Sequence, residues 1–378
     1  MKIIPYGKQY IDKKDILSVS RALKSDKITS GLEVQKFEKK ISNYLGCKYS
    51  VTCSNGTSAL FMAMKAANVS NGDIVIMPSI TFVASYNVAT ILGARVYLAD
   101  VDPESGQMTP QNVKNCCKKF NLKNIKAIIV MYHSGYPQNA ENFKKLKKIF
   151  KSTIIEDACH ALGAKYQVKD KKFKIGSCKH ADISTFSLHP LKTITTGEGG
   201  IITTNSKSIY NKLILLRSHG IQRNNKKHWE YDVCYNSLNF RLTDIQCALG
   251  ISQLSKIDKF VYKRKKISKI YDEHLSLIDQ IKIFKLKKNY LSSFHLYVIR
   301  VKKANIKEKL IKYMLKNKIY LQYHYIPIYE FKVFKNKKIF KNSKYFYQSA
   351  ISLPIYYELS FKKQMYVIKK IKDFFKFI

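Results

Sequence analysis

Residues 185–200 have the sequence Thr-Phe-Ser-Leu-His-Pro-Leu-Lys-Thr-Ile-Thr-Thr-Gly-Glu-Gly-Gly. An apolar, strand-like run enters a polar turn, and Lys192 stands among Thr and Gly residues before the next apolar run. Seven of the 68 basic residues are arginine, so Lys192 is one of 61 lysines, and its type alone indicates nothing. Its surroundings would desolvate an amine, lower its pKa and free it as a nucleophile. Lys192 is therefore the candidate catalytic lysine.

Short apolar runs alternate with helical segments on both sides of this stretch, from about residue 49 to residue 205. The predicted strands are Tyr49–Cys53, Asp73–Met77, Arg95–Ala99, Lys126–Met131, Thr153–Glu156, Asp182–Phe186 and Gly200–Thr204, and the helices are Thr57–Ala67, Phe82–Leu92 and Asn139–Phe150. This alternation predicts an α/β fold with a mostly parallel sheet and helices on both faces. Ligands of such sheets bind beyond the carboxyl ends of the strands.

The second half of the chain has a different pattern. A long helix is predicted over Leu242–Lys259 and would lead into a region that is richer in lysine and tyrosine. We predict a large domain over residues 1–245 and a smaller α+β C-terminal domain over residues 246–378. The lysine-rich piece at 335–338 is predicted to be a surface loop.

The formal net charge of +42 raises the possibility of a nucleic-acid-binding protein. Nucleic-acid readers usually rely on arginine and cluster their basic residues, whereas here the lysines are dispersed. We therefore expect solvated surface lysines and no nucleic-acid partner. No apolar run is long enough to span a membrane, and no export signal is evident, so we expect a cytoplasmic protein. The eight cysteines form no C-x-x-C pair, which predicts reduced thiols and no metal site.

Two further segments carry polar groups at the ends of predicted strands. Cys53–Leu60, with the sequence CSNGTSAL, places an Asn-Gly turn and hydroxyls at a helix start, where a phosphate can bind. The alternative is an ordinary helix cap. Ile155–Gly163, with the sequence IEDACHALG, places Asp157 after a strand, where its carboxylate can keep a pyridinium nitrogen protonated. The alternative is a capping Asp with a structural histidine.

These three segments, in this order, resemble the DegT/DnrJ/StrS family of sugar aminotransferases, and Asn239–Gly250 adds a fourth match. The similarity extends from Pro5-Tyr6-Gly7 to Ser352-Leu353-Pro354. The resemblance implies the type I aminotransferase fold, pyridoxal 5'-phosphate (PLP) as the cofactor, and the following roles. The implied catalytic residues are Lys192, which binds the cofactor covalently, Asp157, which pairs with its ring nitrogen, and His160 close by.

The resemblance also implies the remaining contacts. The other implied cofactor-binding residues are Gly56, Thr57 and Ser187 at the phosphate, Ser58 beside them, Phe82 stacked on the ring, and Asn239, which reaches the phosphate of the neighbouring subunit of a homodimer. The implied substrate-binding residues are Tyr6, His189, Tyr323, His324 and Tyr325. Without the resemblance, Phe82 would be interpreted as a core residue.

Within the family, the sequence resembles the subgroup that makes UDP-4-amino-4,6-dideoxy-N-acetyl-β-L-altrosamine on the route to pseudaminic acid. Leu188 and Thr193 depart from that subgroup, in which an aromatic residue and a proline are expected. The resemblance implies transfer of an amino group from L-glutamate to a UDP-linked 4-keto-6-deoxy-N-acetylhexosamine. The alternatives are another nucleotide-linked keto sugar (a 4-keto-arabinose, a perosamine precursor or a 3-keto sugar). Related dehydratases carry histidine at the lysine position, so the presence of Lys192 argues against that activity.

Overall fold

The computed structural model describes residues 3–224, 227, 229–334 and 340–376. The helices are α1 (Lys13–Leu23), α2 (Leu32–Leu45), α3 (Gly56–Ala66), α4 (Val83–Ile91), α5 (Pro110–Phe120), α6 (Ala140–Phe150), α7 (Lys207–Leu216), α8 (Asp244–Leu254), α9 (Ile257–Leu275), α10 (Ala304–Lys316), α11 (Lys341–Ser349) and α12 (Phe361–Lys376). The strands are β1 (Tyr49–Cys53), β2 (Ile74–Pro78), β3 (Arg95–Ala99), β4 (Ile125–Met131), β5 (Thr153–Asp157), β6 (Lys165–Val168), β7 (Lys171–Lys174), β8 (Ile183–Ser187), β9 (Gly200–Thr204), β10 (Ile221–Arg223), β11 (Tyr231–Val233), β12 (Ile281–Ile283), β13 (Tyr290–Leu291), β14 (Tyr297–Val301) and β15 (Ala350–Leu353).

Seven strands form the central sheet in the order β1-β9-β8-β5-β4-β2-β3. Strand β9 runs antiparallel to its neighbours, β1 and β8. The other neighbouring pairs are parallel, and β5 pairs with β8 so that Asp157 lies opposite Thr185. The predicted α/β fold with a mostly parallel sheet is confirmed. Its consequence for function is that β5 and β8 end side by side at one edge.

Both faces of the sheet are buried, which explains why its strands are continuous apolar runs. One core contains Ile128 and Phe186 together with side chains of α2 and α8. The core on the opposite face contains Ile129 and Ile183 together with side chains of α3. The sheet is therefore rigid on both sides, and the polar groups at its carboxyl edge are held in fixed positions.

The single long helix predicted over Leu242–Lys259 is wrong, because the structure has two helices, α8 and α9, in its place. Thr243 caps α8 through a capping box with Gln246. Between the two helices, the ammonium of Lys256 turns towards α1, where Nζ lies 2.7 Å from Oδ2 of the buried Asp15 and 3.0 Å from Oδ2 of Asp12. Lys256 is thus ion-paired at the junction of the two helices, where the sequence has neither proline nor glycine.

The C-terminal part of the chain has its own apolar core. Strands β12, β14 and β15 form an antiparallel sheet that packs with α9, α10 and α12. The core also includes Ile4 from the start of the chain, which forms a parallel bridge with Ile319. The division into domains at residue 245 stays a prediction, and the predicted loop at 335–338 lies outside the described residues.

Two general expectations can be compared with the described part of the chain. None of its helices combines the length and apolar character that a membrane span requires. All eight cysteines are free thiols, and five of them are buried, as predicted.

Candidate active site

A cleft of about 670 Å³ opens beyond the carboxyl ends of β5 and β8. The N-terminus of α3, the loop after β8 and the segment at 322–326 form its walls. Of the predicted site residues, all except Ser58 and Asn239 line this cleft. The lining residues are Tyr6, Gly56, Thr57, Phe82, Asp157, His160, Ser187, His189, Lys192, Tyr323, His324 and Tyr325. The structure therefore brings together residues from six separate stretches of the chain.

Asp157 is buried at the end of β5, and both of its carboxylate oxygens accept a hydrogen bond. The hydroxyl of Ser85 on α4 donates to Oδ2 over 3.0 Å. The backbone N–H of Cys159 donates to Oδ1 over 3.3 Å. Two donors, one at each oxygen, fix the plane of the carboxylate. The group is therefore oriented as an acceptor for a protonated partner in the cleft.

Lys192 lies in the loop between β8 and β9, where its backbone N–H donates to the carbonyl of His189 over 2.9 Å. Burial lowers the pKa of its ammonium, while the nearby Cys159 and Asp157 act in the opposite direction. A lysine with a lowered pKa has a larger fraction of the neutral, nucleophilic amine. Lys192 and Asp157 thus lie in one cleft, close enough for the carboxylate to act on the pKa of the lysine.

The start of α3 forms a narrow cradle against Ser187. The side chain of Asn55 caps the helix by accepting from the N–H of Ser58 over 2.8 Å. A Cβ placed on Gly56 would lie 2.9 Å from Cβ of Ser187, so only glycine fits without a shift. The helix dipole and the free N–H groups favour an anion here. Ser58 is buried outside the cleft lining, with its hydroxyl 2.9 Å from that of Ser54.

His160 is buried, and its Nε2 shares a hydrogen bond of 2.8 Å with the hydroxyl of Tyr325. The two rings are 5.8 Å apart at 33°. Burial lowers the pKa of His160 well below its usual value, and the charges of His295 and Lys192 lower it further. The imidazole is therefore neutral at physiological pH, and it joins the large sheet to the C-terminal part of the chain.

Aromatic side chains line the opposite side of the cleft. Phe82 is 52% exposed, so its interpretation as a core residue is wrong. Its ring is 5.7 Å from that of Tyr325 at 54°, and the ring of Tyr6 is 5.6 Å from that of His324. His324 is held by a hydrogen bond of 2.8 Å between Nδ1 and the hydroxyl of Ser352. An exposed phenyl ring inside a polar cleft provides a surface on which a planar ligand can stack.

Asn239 lies outside this cleft. It is exposed, its Oδ1 accepts from the N–H of Arg241 over 3.1 Å, and its backbone bridges to Ser218. Its predicted partner is a second subunit, so its role stays a prediction.

The structure adds residues to the site that the sequence did not single out. Ser85, Cys159 and His295 belong to it, and His133 packs behind His160 with ring centroids 6.3 Å apart. Ser85 lies on α4, three residues after Phe82. This spacing of about one helical turn could have indicated that the two side chains belong to the same site. His133 and His295 carry no local signal. Despite the four clustered histidines, the described residues contain no group of His, Cys, Asp and Glu that could hold a metal ion.

The model of the DegT/DnrJ/EryC1/StrS aminotransferase family matches residues 9–372. The chain belongs to this family. The predicted enzyme class, a PLP-dependent sugar aminotransferase, is thereby confirmed at the level of the family, as is the predicted type I fold.

Relatives and solved structures agree with the family match. The UDP-4-amino-4,6-dideoxy-N-acetyl-beta-L-altrosamine transaminase of Campylobacter jejuni (serotype O:23/36) is 36% identical over 97% of this chain and 96% of its own length. The GDP-perosamine synthase of Escherichia coli O157:H7 is 30% identical over 99% of both chains.

Among solved structures, Helicobacter pylori PseC, an aminotransferase of pseudoaminic acid biosynthesis, is similar with a TM-score of 0.91 and 29% identity over 100% of both chains. The PLP-form of the sugar aminotransferase Spr1654 of Streptococcus pneumoniae is similar with a TM-score of 0.89 and 26% identity over 99% of both chains.

Proposed function

We propose that this enzyme transfers the amino group of L-glutamate to the keto group of a UDP-linked 4-keto-6-deoxy-N-acetylhexosamine, with PLP as its cofactor. The observation that carries the proposal is the common cleft of Lys192, Asp157 and the cradle between Gly56 and Ser187. An amine, a carboxylate and an anion site are the groups needed to hold an aldehyde, a pyridine nitrogen and a phosphate.

The residues present fit PLP. Lys192 would hold the aldehyde carbon, Asp157 the ring nitrogen, and Gly56, Thr57 and Ser187 the phosphate, while the exposed ring of Phe82 would stack on the pyridine. The absence of a Cβ at Gly56 leaves room at the phosphate cradle. In the described part of the chain, the buried Nδ1 of His160 has no hydrogen-bond partner, so a polar group in the cleft can still bind there. When bound, PLP supplies an electron sink for the carbanion that forms at the amino-bearing carbon.

The side chains of the cleft divide the proton chemistry between them. Burial favours the neutral amine of Lys192, which can take a proton from the substrate carbon and return one. Asp157 is fixed by Ser85 and Cys159, and its negative charge keeps the cofactor nitrogen protonated. The neutral His160 and the hydroxyl of Tyr325 form one hydrogen-bonded unit that adds no positive charge to the site.

The proposed acceptor rests on the relatives, and the proposed donor, L-glutamate, rests on the family resemblance. The Campylobacter jejuni relative, named as a transaminase for a UDP-linked amino sugar, is similar over nearly the whole chain and supports that substrate class. The Escherichia coli relative, named as a GDP-perosamine synthase, supports the second candidate, a GDP-linked 4-keto sugar. The sugar nucleotide would be contacted by the remaining residues of the cleft lining, which are Tyr6, His189, Tyr323, His324 and Tyr325.

A homodimer is part of the proposal, because Asn239 would reach the cofactor phosphate of the partner subunit. The neighbouring surface exposes apolar side chains, among them Tyr231 (59% exposed), Val233 (51%) and Leu238 (61%). Exposed apolar patches of this kind mark contact surfaces. A change of Asn239 to Ala should lower cofactor affinity in the dimer without changing the elution volume on size exclusion.

The test is to incubate the purified protein with PLP, L-glutamate and a panel of UDP-, dTDP- and GDP-linked 4-keto sugars, and to identify the amino product by mass spectrometry and NMR. The proposal predicts an amino sugar from the UDP-linked N-acetylated substrate and 2-oxoglutarate in equal amount. Lys192→Ala should form neither product, whereas Lys48→Ala, a change at an exposed lysine, should behave as wild type. Full activity of Lys192→Ala would refute the assignment of the lysine, and amination of only the GDP-linked sugar would favour the second candidate.

A further inference from the structure

A second buried histidine, His295, stacks on His160 in the same cleft. The ring centroids are 4.2 Å apart, and the rings are inclined by 39°. This separation is shorter than that between His160 and Tyr325, which is 5.8 Å. His295 comes from the segment before β14 and lines the cleft together with Lys192. It therefore reaches the site from the C-terminal part of the chain.

The backbone around His295 is held at several points. Its N–H donates to the carbonyl of Ser134 over 3.1 Å, and its carbonyl accepts from Nη1 of the buried Arg264 over 3.1 Å. Two positions earlier, the hydroxyl of Ser293 donates to the backbone carbonyl of His160 over 2.5 Å. These bonds fix both the carbonyl of His160 and the segment that carries His295. The main chain thus fixes the point from which the side chain of His295 enters the cleft.

The side chain of His295 contributes a ring face and few polar contacts. Among the described residues, none forms a hydrogen bond with its buried Nδ1. A buried ring whose Nδ1 is unpaired acts on its neighbour mainly through packing. Burial lowers the pKa of His295 well below its usual value, and the charge of Lys192 lowers it further. Both stacked rings are therefore neutral, and they do not repel each other.

We propose that His295 is a positioning residue for the transamination, whose ring face holds His160 in the orientation in which Nε2 meets the hydroxyl of Tyr325. The inference rests on the proposed function, because it concerns the geometry of that reaction. His160 has one polar side-chain contact, at Tyr325, so its orientation also depends on the rings packed against it. His295, at 4.2 Å, lies closer to the His160 ring than Tyr325 at 5.8 Å and His133 at 6.3 Å. Tyr325 in turn contacts Phe82, so a displaced His160 would loosen the aromatic wall opposite.

The test compares three substitutions that separate the ring face from the ring nitrogens. His295→Phe keeps an aromatic face, His295→Gln keeps polar atoms without a ring, and His295→Ala keeps neither. His274→Ala, at a half-exposed position of α9 outside the cleft lining, is the control. The rate with which L-glutamate converts the lysine-bound cofactor to its amine form is followed by absorbance, below the melting temperature of every variant.

The proposal predicts that His295→Phe retains the wild-type rate within about threefold, whereas His295→Gln and His295→Ala lose between about tenfold and 100-fold, as small misplacements in an active site do. The loss should appear in the rate at saturating glutamate and not in the KM for glutamate. If the alanine variant does not fold, the comparison of the rates of His295→Phe and His295→Gln still tests the proposal. A rate for Gln equal to or above that for Phe would overturn the proposal, as would a wild-type rate for Ala.

A double variant tests whether His295 acts through the bond between His160 and Tyr325. The double variant Tyr325→Phe/His295→Ala should lose little more rate than the more damaging of the two single variants. The reason is that both changes disturb the same hydrogen-bonded pair, His160 and Tyr325. Additive losses would show that His295 acts elsewhere and would contradict the proposal. If the wild-type protein itself shows no cofactor absorbance and no reaction with glutamate, the proposed function fails first, and that result is distinct from a wrong order of variants.

Discussion

The hydroxyl of Ser85 donates a hydrogen bond of 3.0 Å to Oδ2 of Asp157, on a carboxylate whose other oxygen is held by a backbone N–H. The serine lies on α4 and the aspartate at the end of β5, so the contact joins a helix to the edge of the sheet. A bond of this kind fixes the direction in which a carboxylate faces a partner.

This contact leads to a graded prediction for two substitutions. Asp157→Asn removes the negative charge opposite the cofactor nitrogen and should lower the rate of the glutamate half-reaction by about 100-fold or more. Ser85→Ala removes one hydrogen bond to a charged group, worth about 1.5 kcal/mol, and should lower the same rate by about tenfold. The measurement is stopped-flow absorbance of the bound cofactor.

The matched control is Ser70→Ala, since Ser70 also donates to a carboxylate, that of Asp73, but in an exposed turn far from the cleft. It should leave the rate unchanged. Equal rates for Ser85→Ala and Ser70→Ala would mean that Asp157 does not depend on Ser85.

A second prediction concerns the phosphate cradle. Gly56→Ala places a methyl group 2.9 Å from Cβ of Ser187, closer than real Cβ contacts allow. Relief of this overlap should cost about 1–3 kcal/mol and widen the cradle, so the Kd for PLP should rise. Titration of the apo protein with PLP, followed by absorbance, measures the change. Gly7→Ala is the control, because its Cβ would meet Leu191 at an ordinary 3.5 Å, and an unchanged Kd for Gly56→Ala would remove Gly56 from the phosphate site.

Most of the sheet could be predicted from the sequence because its strands are buried on both faces and read as short β-branched runs. The strand predicted over Thr153–Glu156, for example, differs from β5 by a single residue. The break between α8 and α9 could not be predicted in this way. It lies at Ser255 and Lys256, where the sequence has neither proline nor glycine, so the local pattern contains no signal for the end of a helix.

The candidate site also contains residues that the sequence could predict and residues that it could not. Lys192 and Asp157 stand in local motifs, so the neighbouring residues in the sequence were enough to indicate their chemistry. His295 stands in an apolar segment that would be interpreted as an ordinary strand entrance, and its importance comes from a ring contact with His160 that only the folded chain creates. Phe82 shows the reverse, because its type suggested the core and its position exposes it to the cleft.

A third prediction concerns acid stability, because four buried histidines surround the cleft. Burial lowers the pKa of His133 to about 4 and that of His324 to about 3, and it also lowers the pKa of His160 and of His295. The unfolded chain, with histidine pKa values near 6.5, binds more protons than the folded protein between about pH 4 and pH 6.5. The folded protein is therefore favoured above this window and loses stability as the pH falls through it.

Urea unfolding at pH 7, 6 and 5 should show this loss, with each such histidine contributing up to about 1.4 kcal/mol per pH unit below its unfolded pKa. His133→Gln keeps a side-chain N–H donor near the position of Nε2, towards the carbonyl of His324, and removes one titrating group, so its slope should be shallower by up to one proton. Equal slopes for His133→Gln and wild type would show that His133 does not titrate as a buried neutral group.

The last prediction concerns a lysine behind the proposed substrate wall. Lys307 on α10 is buried, donates to the carbonyl of Tyr347, and places Nζ 4.5 Å from the ring centre of Tyr323 and 4.3 Å from that of Tyr347. Burial lowers the pKa of Lys307 to about 8, and the neighbouring Glu308 opposes this shift. A cation–π contact needs the protonated form of Lys307. At pH values below 8 the ammonium therefore holds the ring of Tyr323, and this contact is lost as the pH rises above 8.

If Tyr323 contacts the nucleotide sugar, the KM for that substrate should rise above pH 8 in the wild-type enzyme, while the glutamate half-reaction shows no matching change. Lys307→Met removes the charge but keeps the chain length, so it should raise this KM at pH 7 by between about threefold and thirtyfold, the range of a desolvated cation–π contact, and remove the pH dependence. Lys309→Met, at an exposed position of the same helix, should match wild type. Because only the sugar half-reaction is expected to change, an equal loss in both half-reactions would mean that Lys307 supports the fold of the cleft as a whole and not the position of Tyr323.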